Sequence, residues 1–407
     1  MIETLILASL ILIALGSALS FKSPRSVFVI SLIALLIMLL MPEYRSYVIL
    51  VVAIGVLNLL SMILMKNQIK GVDYGLTALI AIATVYVVFT NDLAMILLMF
   101  VITSIPTYVL IMTSENKAKV DVAVKYITFM VFATVLFLAG AMLLVYANSV
   151  NADILYIIGF IMLIIGLGME VGCAPMHEWV PDVFDTADPI PVSIVASIAK
   201  IVPFVVAYKI LIMTANPLIT KLALFVAFVA AVSMFIGNIG ALTSTKPARI
   251  LAYSTVANMG YILATLVALI DLNWIYLAFA GALLQLMANA FGKVGFFVSI
   301  KEGGASTYLM YALAFSFIGM PPLIGFWGKL FILLSLVKVG YIWLALILVI
   351  NSAMSVPYYV RLARILSKPT IPSLVNAIAL ITVALTFITI VPPNWFIDLA
   401  RAIIGGV

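Results

Sequence analysis

Charge is scarce in this sequence. Only 9% of its 407 residues are Asp, Glu, Lys or Arg, while 66% are hydrophobic; a soluble domain carries about 25% charge. That deficit excludes a water-soluble globular protein and predicts a polytopic membrane protein. Cysteine is nearly absent. The one thiol, Cys173, cannot form a disulfide within the chain or hold an iron–sulfur cluster. Histidine is as rare: His177 stands alone and is expected to be an interfacial hydrogen bonder, with no metal site. Long polar stretches are also missing, which leaves no soluble domain for a nucleotide, flavin or cluster, so no cofactor is expected. The first helix does not read as a removable signal, because Glu3 stands where positive charge belongs and no small-residue cleavage site precedes the next span. The net charge of +6 lies mostly in or beside loops and calls for no nucleic acid.

What is present is apolar length. A bilayer core about 30 Å thick needs roughly 20 apolar residues per helix. On that ruler the chain predicts an all-α protein of about fourteen spans: 3–20, 27–41, 46–65, 74–90, 93–113, 123–147, 153–172, 190–212, 217–240, 247–270, 273–299, 305–336, 340–365 and 373–392, the last extending to about 405. Odd-numbered loops and their flanks hold Lys22, Arg25, Lys66, Lys70, Lys117, Lys119, Lys246, Arg249, Lys301, Arg361, Arg364 and Lys368. The even side holds Arg45, Lys209, Lys221, Lys338 and Arg401. The positive-inside rule then places odd loops in the cytoplasm and both termini on the outer side of the cell (inner) membrane. The seventh loop is the exception, with acidic Glu178, Asp182, Asp185 and Asp188.

Two spans contain helix breakers, the seventh at Gly172-Cys173-Ala174-Pro175 and the twelfth at Gly319-Met320-Pro321-Pro322. Interrupted helices at matching places in two halves point to an internal repeat with a transport path at its interface. Freed backbone groups there must face protein or water. Lys200, Lys293 and Lys329 fall well inside spans, and Glu170 lies just before the first break; Lys125 and Lys209 lie nearer span ends, placed to snorkel. A lysine at mid-membrane costs on the order of 2.5–3.5 kcal/mol even on the lenient insertion scale. Removal from water favours the neutral forms of amine and carboxylic acid, so such groups can exchange protons near neutral pH. The alternative is a static ion pair, or a bond to a carbonyl at a helix break. Asn289, four residues before Lys293, shares its helical face, and Asn258 lies beside Tyr253, Ser254 and Thr255; both fit a wet path or ordinary interhelical bonding.

The stretch Pro175-Met176-His177-Glu178-Trp179-Val180-Pro181-Asp182, with Pro191-Val192-Ser193 and Lys200, resembles the antiporter-like, proton-conducting membrane subunits of respiratory complex I, Mrp antiporters and membrane-bound energy-converting hydrogenases. Arg249-Ile250-Leu251-Ala252-Tyr253-Ser254, Asn289-Ala290-Phe291-Gly292-Lys293, and Gly319-Met320-Pro321-Pro322 with Lys329 resemble further motifs of that family, in order, over roughly residues 75–335. The resemblance implies N-terminal helices 1–3 (1–73), two inverted five-helix repeats (74–212 and 213–365) with broken helices 7 and 12, and a fourteenth helix (366–407). It implies a central lysine axis of Lys200, Lys293 and Lys329. Its implied partners are other integral membrane subunits, a peripheral redox module, the lipid bilayer, and protons or sodium ions.

Departures stand beside the likeness. The family's fifth-helix glutamate falls on Val101, and its seventh-helix lysine on Glu170; histidines frequent in its tenth and eleventh helices fall on Asn258 and Asn289. One reading pairs Glu170 with Lys200 to carry protons or bind a cation. The other makes this copy a relay or a spacer. The expected function is therefore an ion-translocating subunit of a redox-driven complex related to complex I or an energy-converting hydrogenase. The path is Glu170, Lys200, Lys293 and Lys329, supported by His177, Asn258, Asn289 and Arg249. The alternatives are a non-pumping scaffold of such a complex and a subunit of a cation/proton antiporter.

Overall fold

A computed structural model describes residues 2–20, 22–65, 71–112, 120–369 and 373–405; the loop lysines Lys66, Lys70, Lys117 and Lys119 lie outside the described residues. The chain folds as helices α1 (Ile2–Leu19), α2 (Pro24–Ile37), α3 (Arg45–Ser61), α4 (Val72–Tyr86), α5 (Leu93–Met112), α6 (Val120–Ser149), α7 (Asp153–Val171), α8 (Trp179–Thr186), α9 (Pro189–Ala196), α10 (Ile201–Met213), α11 (Ile219–Thr243), α12 (Pro247–Leu263), α13 (Leu272–Lys301), α14 (Thr307–Ile318), α15 (Ile324–Lys338), α16 (Ile342–Leu366), α17 (Leu374–Thr386) and α18 (Asn394–Ile404). A two-residue parallel pair, β1 (Ala305–Ser306) with β2 (Ser367–Lys368), joins the loops after α13 and α16.

Most of the helices are apolar on every face, so packing and lipid compete for the same side chains. Leu7, Phe132, Ile154 and Phe228 lie exposed on the outside, as a hydrocarbon solvent allows. Among the described residues, ten helical segments are long and apolar enough to cross a membrane, and Pro24–Leu40, Val72–Tyr86, Thr307–Ile318 and Leu374–Thr386 are shorter apolar helices at other expected spans. This is a multi-pass membrane protein. Its centre is the 189–213 segment, buried throughout its apolar window, flanked by the largely buried α12 and α13.

Three expectations are corrected by the geometry. The span over 190–212 is not continuous: α9 stops at Ala196, Ser197 leaves helical geometry, and one 3-10 turn, Ile198–Lys200, precedes α10. Pro203 lies just beyond the break and has no N–H to give the Ala199 carbonyl four residues back. Secondly, the last span does not run on to 405. The chain leaves the helix after Thr386 and restarts as α18 behind Pro392-Pro393. Thirdly, Lys209 does not snorkel. It is fully buried, and its Nζ donates to the carbonyls of Val88 (3.2 Å) and Thr90 (2.6 Å) and to Asn91 Oδ1 (3.0 Å).

The acidic seventh loop is explained by its neighbours. Lys125 reaches Asp182 at 2.9 Å, Lys246 and Arg249 reach Asp185 at 2.8 and 3.7 Å, and Lys301 pairs with Asp188. Every one of these cations comes from another odd-numbered loop or its flank. The acids therefore neutralise basic residues on their own side.

Candidate functional site: a buried lysine chain

Two helix ends are built alike. Helix α7 terminates at Gly172, which takes a left-handed φ of 81° that favours glycine, and α14 terminates at Gly319 with φ 90°. In each case a proline follows three residues later, Pro175 and Pro322, both after cis peptide bonds. A helix end leaves its last carbonyls without intrahelical donors. At α7 the Gly172 and Cys173 N–H groups take Gly168 O, Trp179 Nε1 takes Met169 O at 2.9 Å, and Lys200 Nζ takes Glu170 O at 2.8 Å. At α14, Lys329 Nζ takes Phe317 O and Ile318 O, each at 2.9 Å, and Ser352 Oγ at 3.0 Å. A lysine from a later helix thus closes each break.

Lys293 sits between them on α13, completely buried. Its amine donates to Leu251 O at 2.6 Å and Ser254 Oγ at 2.9 Å on α12. Aromatic faces cover all three amines: Trp179 at 4.7 Å from Lys200, Phe317 at 5.4 Å from Lys293, and Tyr261 at 5.4 Å from Lys329. Among the described residues none of these lysines forms an ion pair with a carboxylate. Carbonyl and hydroxyl oxygens accept from an ammonium and, more weakly, from a neutral amine, so the amines are held in place without a carboxylate fixing their charge. The acceptor counts differ, one for Lys200, two for Lys293 and three for Lys329. Only the last matches all three donors of an ammonium.

Glu170, in the last turn of α7, is 7% exposed. Its Oε1 accepts from Ser104 Oγ at 2.6 Å, one turn along α5 from Val101. The Lys200 amine bonds the main-chain oxygen of Glu170, so the two side chains are neighbours without a direct hydrogen bond between amine and carboxylate. Asn289 and Lys293 share a face, yet Asn289 Nδ2 reaches away to Ala196 O at 2.9 Å, a carbonyl freed by the α9 break. Asn258 donates to Ser254 O and Tyr359 Oη and accepts from Gln285 at 2.7 Å. Two expected supports lie elsewhere. His177 rests on the odd-loop face, Nδ1 3.3 Å from Pro175 O, and partial burial holds its pKa below the ordinary histidine value. Arg249 is part-exposed on that face beside Asp185.

The sequence that builds this site matches a known family. The family described as NADH:quinone oxidoreductase/Mrp antiporter, TM, matches residues 90–355. The chain belongs to it. A NADH-quinone oxidoreductase subunit N of Coxiella burnetii is 26% identical over 81% of this chain and 76% of its own length. Subunit N 2 of Symbiobacterium thermophilum is 34% identical over 56% and 49% respectively. The chain thus spans between about half and three quarters of these relatives. Its fold is shared with a chain of the archaeal membrane-bound sulfane sulfur reductase (TM-score 0.82, 17% identity, 98% of this chain and 96% of that one) and one of the Mrp complex of Dietzia sp. (0.79, 15%, 100% and 96%). It is shared also with a chain of Thermus thermophilus respiratory complex I with bound aureothin (0.74, 22%, 98% and 98%).

For this NADH:quinone oxidoreductase/Mrp antiporter family member, sequence reasoning missed a second polar cluster. Tyr359 Oη bonds Ser254 Oγ at 3.1 Å; Tyr358 Oη bonds Asn238 Oδ1 at 3.0 Å; Asn238 Nδ2 reaches Tyr261 Oη (3.2 Å) and Asn351 Oδ1 (3.0 Å). The Tyr358 and Tyr359 rings touch, 4.4 Å between centroids. The cluster runs from the Ser254 that holds Lys293 to the Tyr261 beneath Lys329. Amides and tyrosines in the middle of apolar helices were its signal. Lys209, by contrast, is an anchor. Lys209→Met should cost about 1–3 kcal/mol of stability by stranding buried carbonyls, measured as a lower Tm, and leave ion movement per assembled protein unchanged.

Proposed function

We propose that the chain is an ion-translocating, antiporter-like subunit of a membrane complex related to complex I, driven by redox chemistry in other subunits. The observation that carries this reading is that Lys293 and Lys329, both buried, are joined by a cluster of tyrosine, serine and amide side chains, whereas Lys209, also held by neutral oxygens, stands apart from it. A group that must take up and release a proton is served by acceptors that can hold both its charged and its neutral form. The Tyr359–Ser254–Asn258 and Tyr358–Asn238–Tyr261 bonds supply the link from Lys293 to Lys329.

In this reading the chain crosses the inner membrane fourteen times, in two inverted repeats over 74–212 and 213–365. The like construction of the breaks at Gly172 and Gly319 supports the repeats. The basic odd loops face the cytoplasm and both termini the outer side. Neighbours are other integral subunits and a peripheral redox module; protons or sodium ions are the cargo.

The experiment is translocation by the intact complex after Tyr359→Phe. Removing one hydrogen bond worth about 0.5–1.5 kcal/mol should slow ion movement roughly two- to twelvefold without changing assembly, followed as dye quenching in sealed vesicles. The non-pumping scaffold is favoured by one observation: α5 carries no carboxylate, and Val101 packs against the apolar core. Unaltered translocation in Tyr359→Phe and in the lysine variants would decide for it.

A further inference from the structure

We infer that the Glu170 carboxylate is a binding site for a monovalent alkali cation, sodium being the probe of choice. The inference rests on the ion-translocating reading only for its consequence, since occupancy is measurable without transport. The carboxyl is more than nine-tenths buried, and while Oε1 takes the Ser104 hydroxyl, Oε2 is reached by no protein donor or acceptor. Neither protonation state repairs this. Ionised, Oε2 lacks a donor; protonated on Oε1, the O–H can donate to Ser104 Oγ, but Oε2 is still left without a donor. Both are costly in a buried setting. The cationic side chain nearest to hand, Lys200, bonds the main-chain oxygen of the same residue and does not reach Oε2.

The surroundings choose the ligand class. On the Ser104 side stand hydroxyls bonded into one another: Thr107 Oγ1 to Ser104 O at 2.6 Å, Tyr126 Oη to Thr107 Oγ1 at 3.1 Å, and Tyr108 Oη with Thr134 Oγ1 at 3.1 Å. Oxygen donors suit hard cations. A single carboxylate balances one positive charge, not two. The titratable groups facing Glu170 are Lys200 from the α9–α10 break, Tyr108 from α5 and Tyr126 from α6, and Cys173 just beyond α7 faces Lys200. A proton on Lys200 and a cation on the carboxylate would both draw on the same negative charge. When the carboxyl is protonated, binding is an exchange: one sodium ion bonds to the carboxylate oxygens as the O–H bond breaks and its proton leaves.

The test uses the purified intact complex in weakly buffered detergent, titrated with sodium chloride against choline chloride. Sodium should raise the Tm and release about one proton per chain, and choline should do neither. On the acid side the apparent sodium Kd should rise about tenfold per pH unit, as competition with one proton requires. Glu170→Gln should abolish both responses and Ser104→Ala weaken them. A wild-type complex that does not distinguish sodium from choline overturns the inference, as does a Glu170→Gln complex that still responds to sodium. Should Glu170→Gln fail to assemble, the pH dependence in wild type decides alone: a sodium Kd independent of pH contradicts the exchange. A sodium response that survives while lysine variants pump normally would sink the transport reading and leave this site standing.

Discussion

Lys293→Met should leave the complex assembled and its redox module active while coupled ion movement falls roughly 70- to 400-fold. The size follows from two magnitudes. A charge at mid-membrane without a group to carry it costs on the order of 2.5–3.5 kcal/mol, and each 1.36 kcal/mol is tenfold in rate. Methionine is close to the lysine stem in shape, so packing against Phe317 is kept. What is lost locally is the donor to Leu251 O and Ser254 Oγ, about 1–3 kcal/mol, which a bundle with so much buried apolar surface tolerates. Lys293 is chosen because nothing else at that depth can stand in: among the described residues its nearest polar partners are hydroxyls and carbonyls. Ion uptake by sealed vesicles, normalised to assembled complex, reads the effect. Retained uptake at the wild-type rate would make the lysine a static fixture.

Asp188→Ala should be the most destabilising single change outside that path. Asp188 is fully buried; its Oδ1 accepts from Ile190 N at 2.9 Å and so caps α9, and its other oxygen takes the Lys301 amine. Removing one partner of a buried pair costs about 3–5 kcal/mol, and the lost cap adds about 1 kcal/mol. The pair also matters by place, since it fixes the start of the central 189–213 segment against the end of α13. Thermal unfolding of the detergent-solubilised protein should show a large drop in Tm. Arg401→Ala, which breaks an exposed pair with Asp398, should leave Tm unchanged. Equal effects of the two would contradict the assignment.

Much of this architecture was legible in the sequence because a bilayer imposes length. Residues that no bilayer tolerates without purpose, the lysines at 200, 293 and 329, also declared themselves, as did Gly172 and Gly319 with prolines three positions on. The inward face of each helix was not legible. In water an inward face is marked by apolar periodicity; in lipid both faces are apolar, so Tyr358, Tyr359, Asn238 and Gln285 carried no pattern that joined them. The interruption at Ser197 was not given by Pro203, which frees the Ala199 carbonyl; a helix can open where a distant donor catches a carbonyl. Here Asn289, 93 positions away, catches Ala196 O. The way Glu170 and Lys200 meet was hidden for a related reason. Charge suggests a partner for Lys200, whereas the α7 end offers the amine a carbonyl at 2.8 Å, and the carboxylate goes to Ser104.

The central claim is that the lysines form one path for ions moved by redox energy. The most direct measurement is the number of ions translocated per electron by the intact complex carrying Lys329→Met, compared with wild type in the same vesicles. The path predicts that electrons continue to flow while the ratio falls. A ratio equal to that of wild type would contradict it.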